Sequence, residues 1–498
     1  MSELKQKVVK GTFWVLMERF STQVVTFVVG IVLARLLSPT DYGTVALLTI
    51  FTAIAGVLAD SGFGNALIQK KDATELDFNS VFYLSLGLTA ILYSILFSIA
   101  PWVARFYEVP ELCLILRVTS VTLFFNAINS IQNAELNRKM LFNLSFRISI
   151  ISSVVSAATG LSLAFLGCGV WSLVWMGIAG GAAGVVSRWF FIAWHPRLMF
   201  SWSALCPLFQ YGWKMTVSGL LDTGFNNLYG LIIGKWYTRD DLSFMNRGRH
   251  LPELLMSNVN GTLGRVAFPA LAKVQDDRIK VREAMRRMMV VSTFFVFPLM
   301  MLMAVTAKNT ILLLFGEKWL PATPYAMIAC FTFALWPFHT INLQGIQAIG
   351  RSDVFLKLEI IKKTMALAIL FVFLSKSVLI WCLASAFVSS PLSVVINSWP
   401  NRKLLDYTLK MQLMDVLPTA LVCGVVAVPL VAMNFIPISS QIGRFGILAA
   451  QGLVAVLAFG GLAFAFRLRG IREVGLIVRT RTISRFPQSA PLFNYLEK

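Results

Sequence analysis

Apolar stretches follow one another along the whole chain, broken only by short polar links, and each is far longer than a buried strand needs. At a rise of 1.5 Å per residue, about 20 helical residues cover the ~30 Å hydrocarbon core of a bilayer. Fourteen stretches reach that length, at 12–35, 43–67, 78–104, 112–135, 147–166, 170–192, 211–234, 251–272, 288–307, 322–349, 355–375, 377–399, 415–434 and 444–466. Inside lipid only helices and closed barrels satisfy the backbone, and runs of this length without strict alternation predict helices. The first two form a hairpin around SPTDYG at 38–43, and the fifth and sixth are joined by only GCGV at 167–170.

Composition sharpens that pattern into a class. The 498 residues are 57% hydrophobic and 14% charged, with a mean hydropathy of +0.72, which predicts an all-α polytopic membrane protein of about 14 transmembrane helices. The six cysteines have no CxxC spacing and the three histidines are far apart, so reduced thiols are expected and neither a metal nor a cofactor. The sequence contains no GxxxxGK[ST], DxD, GxSxG or HExxH motif. A net charge of +20 raises the question of nucleic acid, but its placement answers it. With alternate links inside, 31 of the 44 Lys and Arg fall on the cytoplasmic side and 11 outside, leaving Arg19 and Arg265 within spans. That bias follows the positive-inside rule, puts both termini in the cytoplasm and leaves no basic surface for nucleic acid. Anionic lipids of the inner leaflet are the expected partners of this charge.

The order of spans also suggests a repeat. After the sixth span, WHPRLMFSWSALCPLF reads as an interfacial linker, taken at 195–209. From Gly212 the run GWKMTVSGLLDTGFNNLYGLIIGKWYTRDDLSF has the length and hydropathy of the run from Gly11. An offset of about 200 residues sets Asp60 opposite Asn260 and Asn65 opposite Arg265. Two six-helix bundles in parallel repeat are therefore expected, at 1–200 and 201–410, followed by an added helix pair at 411–466 and a basic cytoplasmic tail at 467–498.

A few polar residues sit inside the spans, where ionised groups are costly unless they face protein or water. On the first span Arg19, Gln23, Thr26 and Gly30 share a face; on the second Gly56, Asp60 and Gly64 do, with Asn65 beside them. On the seventh, Asp222, Asn226 and Tyr229 form a stripe, and on the eighth Asn258, Gly261 and Arg265. One reading has the stripes line a hydrated cleft between the bundles, with guanidinium forks for phosphate oxygens. The other has Asp60 or Asp222 pair with Arg19 or Arg265 and merely join helices. Arg247 and Arg249 in NRGRHLP are further binding candidates, because the positive-inside rule does not place them outside. Glu18 adjoins Arg19 but points about 100° away. Asn129, Gln132 and Asn133 suit hydrogen bonds between helices.

The runs LARLLSPTDYG, DSGFGNALIQKKD, NRGRHLPELL, FPALAKVQDD and LLLFGEKWLPA resemble those of bacterial polysaccharide-export flippases, within the multidrug/oligosaccharidyl-lipid/polysaccharide exporter superfamily. The likeness extends from about Lys5 to Lys410; FPALAKVQDD together with FGEKW is its most specific part. It implies two six-helix bundles with alternating access, and a substrate of an oligosaccharide repeat unit on undecaprenyl diphosphate, moved to the outer leaflet. It further implies a polysaccharide polymerase and chain-length regulator as partners, and a coupling ion, sodium or proton. A drug or cation antiporter of the same superfamily is the alternative, though it would want acidic cavity groups without Arg19 and Arg265. A polysaccharide polymerase or ligase would need a larger outer loop than the one around Lys235 to His250.

Overall fold

The computed structural model describes residues 2–60, 63–70, 72–373, 375–436 and 440–475. Among these no strand occurs. The chain divides into two compact units, Met1–Ser243 and Phe244–Lys498. Eleven helical segments are long and apolar enough to cross a membrane. The other three expected spans, at 211–234, 251–272 and 355–375, fall on helices α9, Trp202–Trp236, α10, Arg239–Ala272, and α14, Ser352–Phe373.

The first unit contains α1 (Ser2–Leu36), α2 (Pro39–Asp60), α3 (Phe63–Gln69), α4 (Glu75–Tyr107), α5 (Glu111–Thr119), α6 (Thr122–Arg138), α7 (Phe142–Phe165), α8 (Val170–Phe191) and α9. Helix α1 lies on α7, which packs along α8; α9 lies on α2, α3 and α4. The α7–α8 hairpin closes within four residues because Gly167 and Gly169 take φ of +76° and +54°, a region L side chains rarely adopt. Thr74 and Asp77 form a capping box that starts α4, and Lys70 donates to both Asp77 oxygens at 2.8 Å. The link after α8 is strapped to the start of α4: the Arg197 N–H donates to Asn79 Oδ1 at 2.6 Å and the Ser201 N–H to Ser80 Oγ at 3.0 Å. Trp194 of that link is buried against Phe78 and Phe82.

The second unit contains most of α10, then α11 (Arg278–Leu314), a 3-10 turn at Glu317–Ala322, α12 (Thr323–Ala334), α13 (Trp336–Ala348), α14, α15 (Val378–Ala384), a π segment at Ser385–Ser389, α16 (Ser390–Leu404), α17 (Leu409–Met433) and α18 (Gln441–Ala465). Helix α11 packs on α12, α13, α17 and α18. Burying polar side chains in such a bundle requires mutual hydrogen bonds. Asn342 Nδ2 accordingly donates to Gln412 Oε1 at 2.8 Å, Gln412 Nε2 returns a bond to Asn342 Oδ1 at 3.0 Å, and Asn401 Nδ2 joins at 2.7 Å.

One carboxylate ties the last helix pair to α11, beside the bonds of Asn434 with Asn309 and the Val305 carbonyl. Asp415, 5% exposed, accepts from Arg286 Nε and Nη2 at 2.8 and 2.6 Å, from Arg469 Nη1 at 3.1 Å and from Tyr407 Oη at 3.2 Å. An Asp415→Asn protein is expected to lose about 3 kcal/mol, since two guanidinium groups then lose their partner. A lowered thermal midpoint in detergent would show this; an unchanged midpoint would mean that the Asn434 bonds to α11 and apolar packing suffice to hold the pair.

Candidate functional site

Within the first unit, polar side chains of five helices occur near one level. Helix α2 ends at Asp60, whose Oδ1 accepts a short hydrogen bond from the Ser130 hydroxyl of α6. One turn of α6 carries Asn129 and Asn133 on the side facing α8. There Arg188 donates from Nη1 to Asn129 Oδ1 and from Nη2 to Asn133 Oδ1, both at 2.9 Å, and from Nη1 to the Gly184 carbonyl at 3.1 Å. Arg188 of α8 is buried, and among the described residues its hydrogen-bond partners are all neutral acceptors and its Nε has none. The carboxylate acting on it electrostatically is Glu18 of α1, whose Oε1 accepts from Ser149 of α7 at 2.6 Å. An uncancelled cation in a membrane helix costs at least about 2.5 kcal/mol, so the asparagines and Glu18 hold it where hydrocarbon alone would not.

The expected stripes are placed as follows. On α1, Arg19 and Thr26 are exposed and Gln23 and Gly30 half-buried, beside exposed Phe13, Leu16 and Phe20. Arg19 meets no carboxylate among the described residues, while Glu18, one step round the helix, turns to α7. Asp60 is bonded to Ser130. On α9, Asp222 and Asn226 are exposed; on α10, Asn258 is exposed and donates to the Leu254 carbonyl at 2.9 Å. The side chains of Asn65 and Arg265 lie outside the described residues. Arg247 stacks over Phe315 and Trp319 at 5.0 and 5.1 Å, and Arg249 meets Glu253 at 3.3 Å and the Phe333 ring at 5.3 Å.

Asn129 and Asn133 make the bonds between helices that their spacing suggested, whereas both amide atoms of Gln132 are buried without a partner among the described residues. Arg188 was not among the expected site residues. It lies four residues from the end of the expected span 170–192, and its residue type and spacing alone do not point to its partners. Two contacts recur about 200 residues on, the first with its carboxylate or amide at an offset of 200 and its hydroxyl at 210. Thr340 of α13 donates to Asn260 of α10 as Ser130 does to Asp60. The turns 38–41 and 238–241 carry the same cap: Ser38 Oγ donates to Asp41 Oδ2 at 2.6 Å, and Thr238 Oγ1 to Asp241 Oδ2 at 2.7 Å.

Comparison with known families places this arrangement. The family model described as "Polysaccharide biosynthesis protein" matches residues 32–324, more than half of the chain. The chain belongs to the polysaccharide biosynthesis protein family. Among curated relatives of this family member, the teichuronic acid biosynthesis protein TuaB of Bacillus subtilis is 24% identical over 71% of this chain and 74% of its own. The lipopolysaccharide biosynthesis protein WzxC of Escherichia coli is 22% identical, over 72% of this chain and 73% of its own. The succinoglycan biosynthesis transport protein ExoT of Rhizobium meliloti is 24% identical over 70% of each. Among solved structures, the lipid II flippase MurJ in an inward closed conformation superposes with a TM-score of 0.69, at 13% identity, over 91% of this chain and 99% of its own. An inward-facing MATE family multidrug transporter of the MOP superfamily gives 0.60, at 15% identity, over 77% and 94%. These structures fix the fold of the polysaccharide biosynthesis family member as that of polytopic transporters, as the sequence motifs implied.

Proposed function

We propose that the protein is a flippase, not an enzyme: it carries an oligosaccharide on a polyprenyl diphosphate, of the undecaprenyl type, from the inner to the outer leaflet of the bacterial cytoplasmic membrane. Family membership supports this, together with relatives named for surface-polysaccharide synthesis and transport. The observation that carries the chemistry is Arg19, a guanidinium on a membrane helix that is exposed in its unit and has no carboxylate partner among the described residues. Such a fork matches the oxygens of a phosphate. Arg19, Gln23, Asp60, Asn65, Asp222, Asn226, Asn258 and Arg265 are the substrate-facing set, with the diphosphate on Arg19 and Arg265 and the sugars on the neutral amides. Both termini face the cytoplasm, as the distribution of Lys and Arg supports. A polymerase and a chain-length regulator acting outside would consume the product, and a sodium or proton gradient would drive the cycle.

The test follows the leaflet position of the lipid-linked unit in depleted cells, using a membrane-impermeant glycan-cleaving enzyme. Wild-type protein is expected to restore cleavage. Arg19→Ala with Arg265→Ala is expected to lower the rate at least about 100-fold, since each charged hydrogen-bonding contact is worth about 1.5–3 kcal/mol. Equal cleavage with and without the protein, in cells with no second flippase, rejects the reading.

A further inference from the structure

We propose that the junction of α11, α17 and the segment after α18 is a binding site for an anionic phospholipid of the surrounding membrane, whose phosphate sits among exposed arginines. The segment does not leave the bundle at the end of α18. Leu468 is buried with the α17–α18 core, and Gly470 lies so close to Phe294 of α11 that a Cβ there would be 2.5 Å from the ring. A helical turn runs on to residue 475, and Glu473 approaches Arg287 of α11 at 3.9 Å. This folding back brings Arg469 onto the carboxylate that Arg286 holds and Glu473 to Arg287, with Arg467 and Arg472 next to them in the chain.

The charges at this junction do not balance. Asp415 faces two guanidinium groups, so that cluster keeps one positive charge. Glu473 holds Arg287 only loosely, and Arg287 is 66% exposed. Arg282, Arg467 and Arg472 meet no carboxylate among the described residues, and Glu283 acts electrostatically on Arg286. Arg282 is one turn, about 6 Å, from Arg286. Six arginines therefore stand against three carboxylates at the ends of apolar helices. Phe464 and Phe466, 67% and 69% exposed, border them on the α18 side. Guanidinium groups at a helix end with bare aromatic rings just below match a phosphate head group with acyl chains beneath it. A soluble acidic partner would have no use for the rings. The site does not depend on what the protein transports.

The full-length purified protein, with phosphatidylglycerol and phosphatidylcholine as probes, tests this by native mass spectrometry. The variant Arg287→Gln, Arg467→Gln, Arg472→Gln leaves the Asp415 clamp untouched, and an unchanged thermal midpoint in zwitterionic detergent verifies that. Wild type is expected to prefer phosphatidylglycerol by at least about tenfold, with the preference lost in the variant and weakened by salt in wild type. A variant that keeps the preference overturns the proposal, as does a salt-independent preference in wild type. A polyprenyl diphosphate that displaces phosphatidylglycerol through the same three arginines, and binds more tightly, overturns it in favour of the carrier.

Discussion

Replacing Arg188 with leucine is expected to leave little folded protein in the membrane. The substitution removes the donors that Asn129 Oδ1, Asn133 Oδ1 and the Gly184 carbonyl share, and leaves Glu18 without the cation whose field it balances. Removing one member of a buried charge cluster costs about 3–5 kcal/mol, a large part of the roughly 5–15 kcal/mol that holds a typical folded domain together. Arg188→Lys keeps the charge but not the fork that reaches two asparagines at once, so an intermediate loss is expected. Arg188→Leu combined with Asn129→Leu, Asn133→Leu and Glu18→Gln removes the whole cluster, and apolar replacement of complete clusters is often neutral. The quadruple variant should regain much of the thermal midpoint lost by Arg188→Leu. Its lipid-exposure rate then separates the cluster's structural part from any part in transport. An Arg188→Leu protein that expresses and melts like wild type contradicts the account.

The cluster also shows where a single sequence stops informing. Helical spans were legible because lipid demands a length and a composition, and both are written in consecutive residues. The α7–α8 hairpin was legible because two glycines within four residues permit few other turns. Faces were legible too, since 3.6 residues per turn put Arg19, Gln23 and Thr26 together without any tertiary knowledge. Which neighbour a face meets was not. Asp60 offers a carboxylate that suits either arginine, and a serine on α6, 70 residues away, takes it. Arg188 gave no signal in the sequence because its partners are neutral and lie 55 and 59 residues back, on a helix whose asparagines gave no hint of a cation. Glu18 and Arg19 are adjacent, yet one braces α7 and the other stays open, because 100° of rotation decides which side of α1 each occupies.

Joining residues 40 and 240 is expected to stop transport. The turns α1–α2 and α9–α10, both in the first unit, are each stiffened by a hydroxyl–carboxylate cap, and they interlock side by side. Thr40 Oγ1 donates to Asp240 Oδ1 at 2.8 Å, and Arg239 Nη1 donates to Thr44 Oγ1 at 3.1 Å. The turns approach so closely that a Cβ on Gly43 would lie 2.2 Å from the Arg239 carbonyl oxygen, a backbone atom that cannot step aside. The bonds themselves are few and join neutral hydroxyls to partly buried charges, so each is worth only about 1–3 kcal/mol and can break at thermal rates. A junction that packs tightly but bonds weakly suits a contact made and broken in each cycle. Thr40→Cys with Asp240→Cys, in a protein whose six native cysteines are replaced, allows a short thiol-cleavable bridge to hold it closed. Bridging should abolish lipid exposure, and cleaving the bridge should restore it. Gly43→Val should act in the opposite sense, forcing the turns apart and lowering the bridging yield several-fold. Full transport by the bridged protein would mean that the turns stay together throughout the cycle, and the moving contact would then have to lie elsewhere in the chain.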